Sequence, residues 1–260
     1  MVRDSRIEAV DAIDRPMVAI RNDYPPDHAV EPHHHRRAQL LYGARGAIQV
    51  TTVRGTWVVP PQRAVWIPSG VQHDVRVIGA TITCSLFIVP EACQGLPAIC
   101  QVVGITPLMR SLLLEAVDLP LDYQYEARDG VLMALLAHEM RRLAVLPLAL
   151  PLPRHSGLAR RCNAFLANPT PHETIDDWAA ALGQSRRSFT RLFRHETGLS
   201  FAAWRRQACL FAALPRLVAG EPVTTVAIDL GYDNPAAFTA MFKRILGAAP
   251  SRYLEGDIAA

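Results

Sequence analysis

Two stretches of the chain concentrate side chains that can do chemistry. The first is His33-His34-His35-Arg36-Arg37-Ala38-Gln39, followed by Gly46 and then by Pro68-Ser69-Gly70-Val71-Gln72-His73. On an extended strand side chains alternate between faces, so His33, His35 and Gln39 would point the same way. Arg37 would share that face, and a bulge or a barrel-mouth position is needed to turn it away. Imidazoles grouped in this way can ligate a divalent ion, bind an organic effector or simply pack. The second stretch carries Arg186, Arg187, Thr190, Arg191 and Arg194 at helical spacing. An arginine fork can bond bidentately to guanine O6 and N7, and its charge also suits phosphate, so such a helix can both position and specify on DNA.

The helix that would present those arginines belongs to a repeated unit. Ala179-Ala180-Ala181-Leu182-Gly183-Gln184-Ser185 precedes Phe189, Phe193, Gly198 and Trp204. Val226-Ala227-Ile228-Asp229-Leu230-Gly231-Tyr232-Asp233-Asn234 precedes Phe238, Phe242, Gly247 and Tyr253, each of these four lying 49 residues after its counterpart. Each copy holds a short apolar helix, a glycine able to take a left-handed φ, and a capping residue that opens a second helix; these are the parts of a helix-turn-helix. Ser185 and Asn234 are the expected caps and, at the start of each reading helix, are counted among the expected DNA-binding residues; Pro235 suits a first helical turn. Phenylalanines four apart anchor one face of each second helix inward and leave the opposite face for a groove. In the second copy that face carries Ala236, Ala237, Thr239, Ala240, Lys243 and Arg244, with small residues fit for thymine methyl contact and few donors.

The elements that must position these groups fall into two halves. Up to about residue 90 the chain reads as short β-rich runs: 47–53, 56–59, 64–67 and 74–78, the last ending at Gly79. That spacing suggests a β-barrel or sandwich. Residues 106–118 and 126–145 turn helical, with Leu108, Leu112 and Leu113 along one helix and Val131, Leu132, Leu135, Leu136 and Met140 along the other. The pair can simply cover the barrel, or, because two such faces exceed what a small barrel must cover, it can serve self-association into a homodimer. Leu146 to Pro153 alternates leucine with proline and reads as a stiff linker.

Half the residues are apolar, enough for well-buried cores, and no run approaches the roughly 18 residues that would cross a bilayer. No apolar signal core follows Met-Val-Arg-Asp-Ser-Arg, so a cytoplasmic location is expected, with no membrane partner. Five cysteines (Cys84, Cys93, Cys100, Cys162, Cys209) form no CxxC pair and read as buried or incidental thiols. The net charge is +3; residues 154–260 carry +4 and residues 1–153 carry −1. The basic half is the one with the repeat, as nucleic-acid binding requires.

Residues 171–255 resemble the AraC/XylS-type transcription regulators, whose DNA-binding domain joins two helix-turn-helix units by a helix. Gly231-Tyr232-Asp233, Phe238, Phe242-Lys243, Gly247, Pro250 and Tyr253 carry the resemblance in the second unit. Leu214-Pro215-Arg216 departs from it: a proline is expected to interrupt the connecting helix and change the angle between the reading heads. Residues 15–90 resemble cupins, small β-barrels that commonly hold a metal with two histidines, a carboxylate and a third histidine. That likeness puts His33, His35 and His73 at the imidazole positions and Gln39 where a glutamate is usual. It implies a site for Zn, Ni, Fe or Mn with less charge compensation than a carboxylate would give.

The sequence is thus expected to give a multidomain α+β protein. Residues 1–145 form a cupin-like effector and oligomerisation domain with a helical pair, 146–155 a linker, and 156–260 an all-α tandem helix-turn-helix domain. The expected function is sequence-specific binding of double-stranded DNA by a transcription regulator, not an enzyme, that responds to a small molecule or metal ion. The alternative is a cupin-type metal enzyme with an accessory basic helical domain. An enzyme has no need of a tandem helix-turn-helix.

Overall fold

β-branched and apolar residues from Ala38 to Thr52 and from His73 to Ile88 build the two strands on which the amino-terminal half is organised. The computed structural model describes residues 10–254, which divide into two compact units: 10–52 with 57–148, and 53–56 with 149–254. The strands are β1 (Met17–Tyr24), β2 (Ala29–His33), β3 (Ala38–Thr52), β4 (Gly55–Val59), β5 (Arg63–Ile67), β6 (His73–Ile88), β7 (Gln101–Gly104), β8 (Val145–Leu146) and β9 (Ala149–Pro151).

In the first unit the order β1-β6-β3-β5-β7-β8 forms an antiparallel sheet, with β2 also on β6. The expected run at 47–53 is the far end of a strand that starts at Ala38, and the run expected to stop at Gly79 continues to Ile88. Both breaks become a register shift: Arg45 faces Ile82 while Ala47 faces Ile78. Gly79 and Gly46 sit in that shift with φ near +71° and +73°. A Cβ at Gly46 would come within 2.3 Å of Thr81 Oγ1, so glycine is required there. The shift lets one half of β6 pair with β2 and the other with β1.

Helices α1 (Pro107–Ala116) and α2 (Arg128–Met140) pack on this sheet. Thr106 caps α1 by accepting from Met109 N, and Pro107 fills the first turn. Met109, Leu113, Leu132, Leu136 and Met140 are buried with Leu40, Trp66 and Leu86. The outer face is apolar too: Leu108, Val131 and Leu135 are 48%, 67% and 40% exposed.

The segment expected as a linker holds β8 and β9, and Leu148 and Leu150 in it are buried. Trp204 Nε1 donates to Pro151 O at 2.8 Å, tying β9 into the second unit. Leucines in an alternating Leu-Pro run can bury as extended chain, which a reading for helix alone does not anticipate.

The second unit is helical: α3 (Ser156–Ala167), α4 (Ile175–Ala181), α5 (Arg186–Thr197), α6 (Phe201–Val218), α7 (Val223–Asp229), α8 (Pro235–Leu246) and α9 (Pro250–Leu254). Contrary to expectation, α6 runs unbroken through Pro215. Leu210, Ala213, Leu214 and Leu217 are buried around it, and that packing outweighs one missing N–H bond. Beyond the proline, Arg216 pairs with Glu221 and Asp229 and holds the end of α6 to α7. Among the described residues no helix is long and apolar enough to cross a membrane. All five cysteines are free, and burial pushes the Cys84, Cys162 and Cys209 thiols up to about 11, about 12 and about 11.

Candidate nucleic-acid interface and histidine cluster

The two reading helices are built alike. Ser185 Oγ accepts from Ser188 N at the start of α5, and Asn234 Oδ1 accepts from Ala237 N at 2.8 Å at the start of α8. Gly198 and Gly247 end the same helices with φ of 72° and 83°. Phe189 and Phe193 are fully buried against Trp178, Phe201 and Trp204, while Phe238 and Phe242 pack on Tyr232 and Tyr253. Aromatic pairs of this kind add rigidity beyond area burial, which fixes the opposite face of each helix.

That opposite face is exposed in both helices: Arg186, Arg187, Thr190, Arg191 and Arg194 on α5, and Ala236, Ala237, Ala240, Lys243 and Arg244 on α8, with Thr239 half-buried. The side chains differ in what they are free to do. Ser185 and Asn234 are spent as caps, Thr190 Oγ1 donates to Arg186 O at 2.7 Å, and Arg186 Nη1 meets Asp176 at 3.1 Å. Arg187, Arg191, Arg194 and Lys243 have no partner among the described residues, so their donors are available to a ligand.

The histidine cluster is assembled differently from the single-strand picture. β2 ends at His33 and β3 begins at Ala38, so a turn separates His35 and Arg37 from either strand. This removes the face conflict: Arg37 donates to Arg15 O at 2.8 Å and Ile13 O at 2.5 Å, leaving the imidazoles alone. His33 and His73 are cross-strand partners with rings 4.4 Å apart, and His35 stands edge-on to His73 at 5.2 Å. One nitrogen of each ring lies within 4.8 Å of the others. His35 and His73 are 3% and 1% exposed, and His33 is half-buried.

Each Nδ1 faces a main-chain oxygen: Glu31 O for His33 and Val71 O for His73, both at 2.8 Å, and Arg37 O for His35. A carbonyl only accepts, so each Nδ1 carries a proton, and in the two inner rings, which burial keeps neutral, Nε2 keeps its lone pair. His73 Nε2 is buried with no hydrogen-bond partner among the described residues. Burial holds both inner rings neutral, lowering His35 and taking His73 down to about 4. Gln39 Nε2 donates to Ser85 Oγ at 3.0 Å, which turns Gln39 Oε1 to His35 Nε2 at 3.2 Å. Two acceptors at that distance need a cation between them or the amide turned over. Two nitrogens on one ion stand at most about 4.2 Å apart, so a pair at the 4.8 Å limit must close slightly. The donor set fits a borderline divalent ion and contains no carboxylate.

Comparison with known proteins bears on both halves. Residues 15–146 match the AraC-like ligand binding domain, and residues 178–256 match a helix-turn-helix domain. The HTH-type transcriptional regulator NimR of Escherichia coli is 38% identical over 222 residues, covering 85% of this chain and 81% of that protein. The arabinose operon regulatory protein of Salmonella typhimurium is 30% identical over 142 residues, 51% of this chain and 49% of that one. A solved structure of ToxT from Vibrio cholerae with an unsaturated fatty acid is 12% identical, covering 94% of this chain and 97% of that chain, with a TM-score of 0.38. With an AraC-like ligand-binding domain followed by two helix-turn-helix units, the chain belongs to the AraC family of DNA-binding transcription regulators.

Proposed function

We propose that this regulator senses a divalent metal ion at His33, His35, His73 and Gln39, in a cupin-like barrel built by the described part of the amino-terminal domain, and that the ion changes its binding to DNA. The observation that carries the reading is the orphaned Nε2 of His73 beside two further imidazoles whose Nδ1 protons are committed to the backbone. Backbone-fixed tautomers of this kind orient histidines as ligands. A bound Zn, Ni, Fe or Mn supplies a Lewis-acid centre there. Three imidazoles and an amide leave its charge uncompensated, which favours a small anionic effector as a further ligand.

In the DNA-binding domain, residues 156–260, Arg187, Arg191 and Arg194 of α5 read bases and phosphates; α8 contributes Ala236, Ala237, Thr239, Lys243 and Arg244 with less base selectivity. Leu108, Val131 and Leu135 form the homodimer face, and the protein works in the cytoplasm on double-stranded DNA. Elemental analysis of untagged protein tests the sensor reading: about one equivalent of metal is expected in the parent and loss in His73→Ala. No stoichiometric metal after growth in supplemented medium overturns it and leaves an organic effector, with the Gln39 amide donating to His35.

A further inference from the structure

A cleft of about 350 Å³ lies within the DNA-binding unit, between the amino-terminal half of the connecting helix α6 and the reading helix α8. Its α6 wall carries Arg205, Arg206 and Cys209; its α8 wall carries Ala237, Ala240 and Arg244, one stripe at helical spacing. Among the described residues no carboxylate lines it. Arg205 is held in place: it donates to Glu173 O and stacks over the Phe201 ring at 5.7 Å. Arg206 and Arg244 have no hydrogen bond or ion pair among the described residues. Three guanidiniums therefore converge on one cavity with no residue of opposite charge among the described residues that line it. Burial and the neighbouring Arg244 and Arg205 lower the Arg206 pKa, a second sign of like charges crowded together.

Such an arrangement is unfavourable in the free protein and becomes favourable when an anion enters. The stripe Ala237, Ala240 and Arg244 is part of the exposed face of α8, and alanines on the wall leave room for a bulky group. Because the same α8 residues line the cleft and are exposed, a DNA strand held against that face of α8 is the anion that meets it. We infer that Arg206 and Arg244 grip one phosphodiester of that strand, with Arg205 as the fixed back wall. This rests on the reading of α5 and α8 as DNA-facing helices. The cleft contributes affinity and register, while base preference stays with the reading helices.

The test uses the full chain and an operator duplex obtained by selection from random sequence, with Kd measured between about 50 and about 200 mM salt. Arg206→Gln is expected to lower the magnitude of the log–log salt slope by about 0.9, the value of one phosphate contact, with the ranking of operator variants unchanged. Arg206→Lys keeps the charge and should keep the slope. Arg244→Gln should show the same loss, and the double variant should lose little more, because both arginines serve one phosphate. The melting temperature of Arg206→Gln without DNA should equal or exceed that of the parent, which separates this role from a structural one. An unchanged slope in Arg206→Gln overturns the proposal. So does a free-anion site, seen as inorganic phosphate raising the melting temperature of the parent but not of the variant while the DNA slope stays fixed. If the parent selects no sequence at all, the reading of α5 and α8 fails first, an outcome distinct from an unchanged slope.

Discussion

His35 Nε2 faces Gln39 Oε1 at 3.2 Å while its Nδ1 is committed to the Arg37 carbonyl. Two acceptors meet where a carboxylate would complete a metal site. Gln39→Glu should therefore tighten metal retention: by charge compensation the variant is expected to keep its ion through a chelator wash that strips the parent. Metal content after graded chelator dialysis is the check, and equal loss from both proteins would count against an ion at this position.

The outer faces of α1 and α2 should hold two chains together. Val131→Asp with Leu135→Asp places charges on residues already exposed in the single chain, so folding should survive while association is lost. Sedimentation at micromolar concentration is expected to give a dimer for the parent and a monomer for the variant. A parent that sediments as a monomer removes this face from the account.

Pro215 lies inside an unbroken α6, so Pro215→Ala should restore a helix hydrogen bond and raise stability by up to about 3 kcal/mol. Denaturant unfolding measures the gain. A loss of stability, or a changed operator preference, would mean that the proline shapes the helix after all.

Glu196 accepts from the main-chain N–H groups of Arg154 and His155 and so fastens α5 to the entry of α3. Those bonds hold its carboxyl below the usual range. The folded pKa is depressed, so the contribution is present above the ordinary value of 4.5 and is lost as pH falls through the folded value. Glu196→Gln should melt below the parent at pH 7, and the gap should close as pH falls from the ordinary value of 4.5 through the lower folded one. A gap independent of pH would show that charge is not what Glu196 contributes.

Much of the DNA-binding half is legible in the sequence because its determinants are local. A serine or asparagine cap, phenylalanines four apart and a terminal glycine lie within a span of 14 residues, and the structure uses each as its local chemistry implies. The histidine cluster was legible as a set of residues but not as a shape. His33 meets His73 through strand pairing across 40 positions, and a turn, not a strand, carries His35 and Arg37. The role of Arg206 is not readable from spacing, because it depends on how α6 and α8 approach one another. Pro215 misleads for a related reason: propensity is local, whereas the burial of Leu214 and Leu217 that overrides it is tertiary.

On the proposed reading, α5 contacts DNA through Arg187, Arg191 and Arg194, which no group among the described residues occupies. The most direct measurement is the operator preference of Arg187→Ala and Arg191→Ala, each determined by quantitative binding to single-base variants of the selected operator. Each substitution should weaken binding by about 1–3 kcal/mol and relax discrimination at one position while leaving the others intact. If both variants bind as tightly and as selectively as the parent, α5 does not enter the groove and the account is wrong.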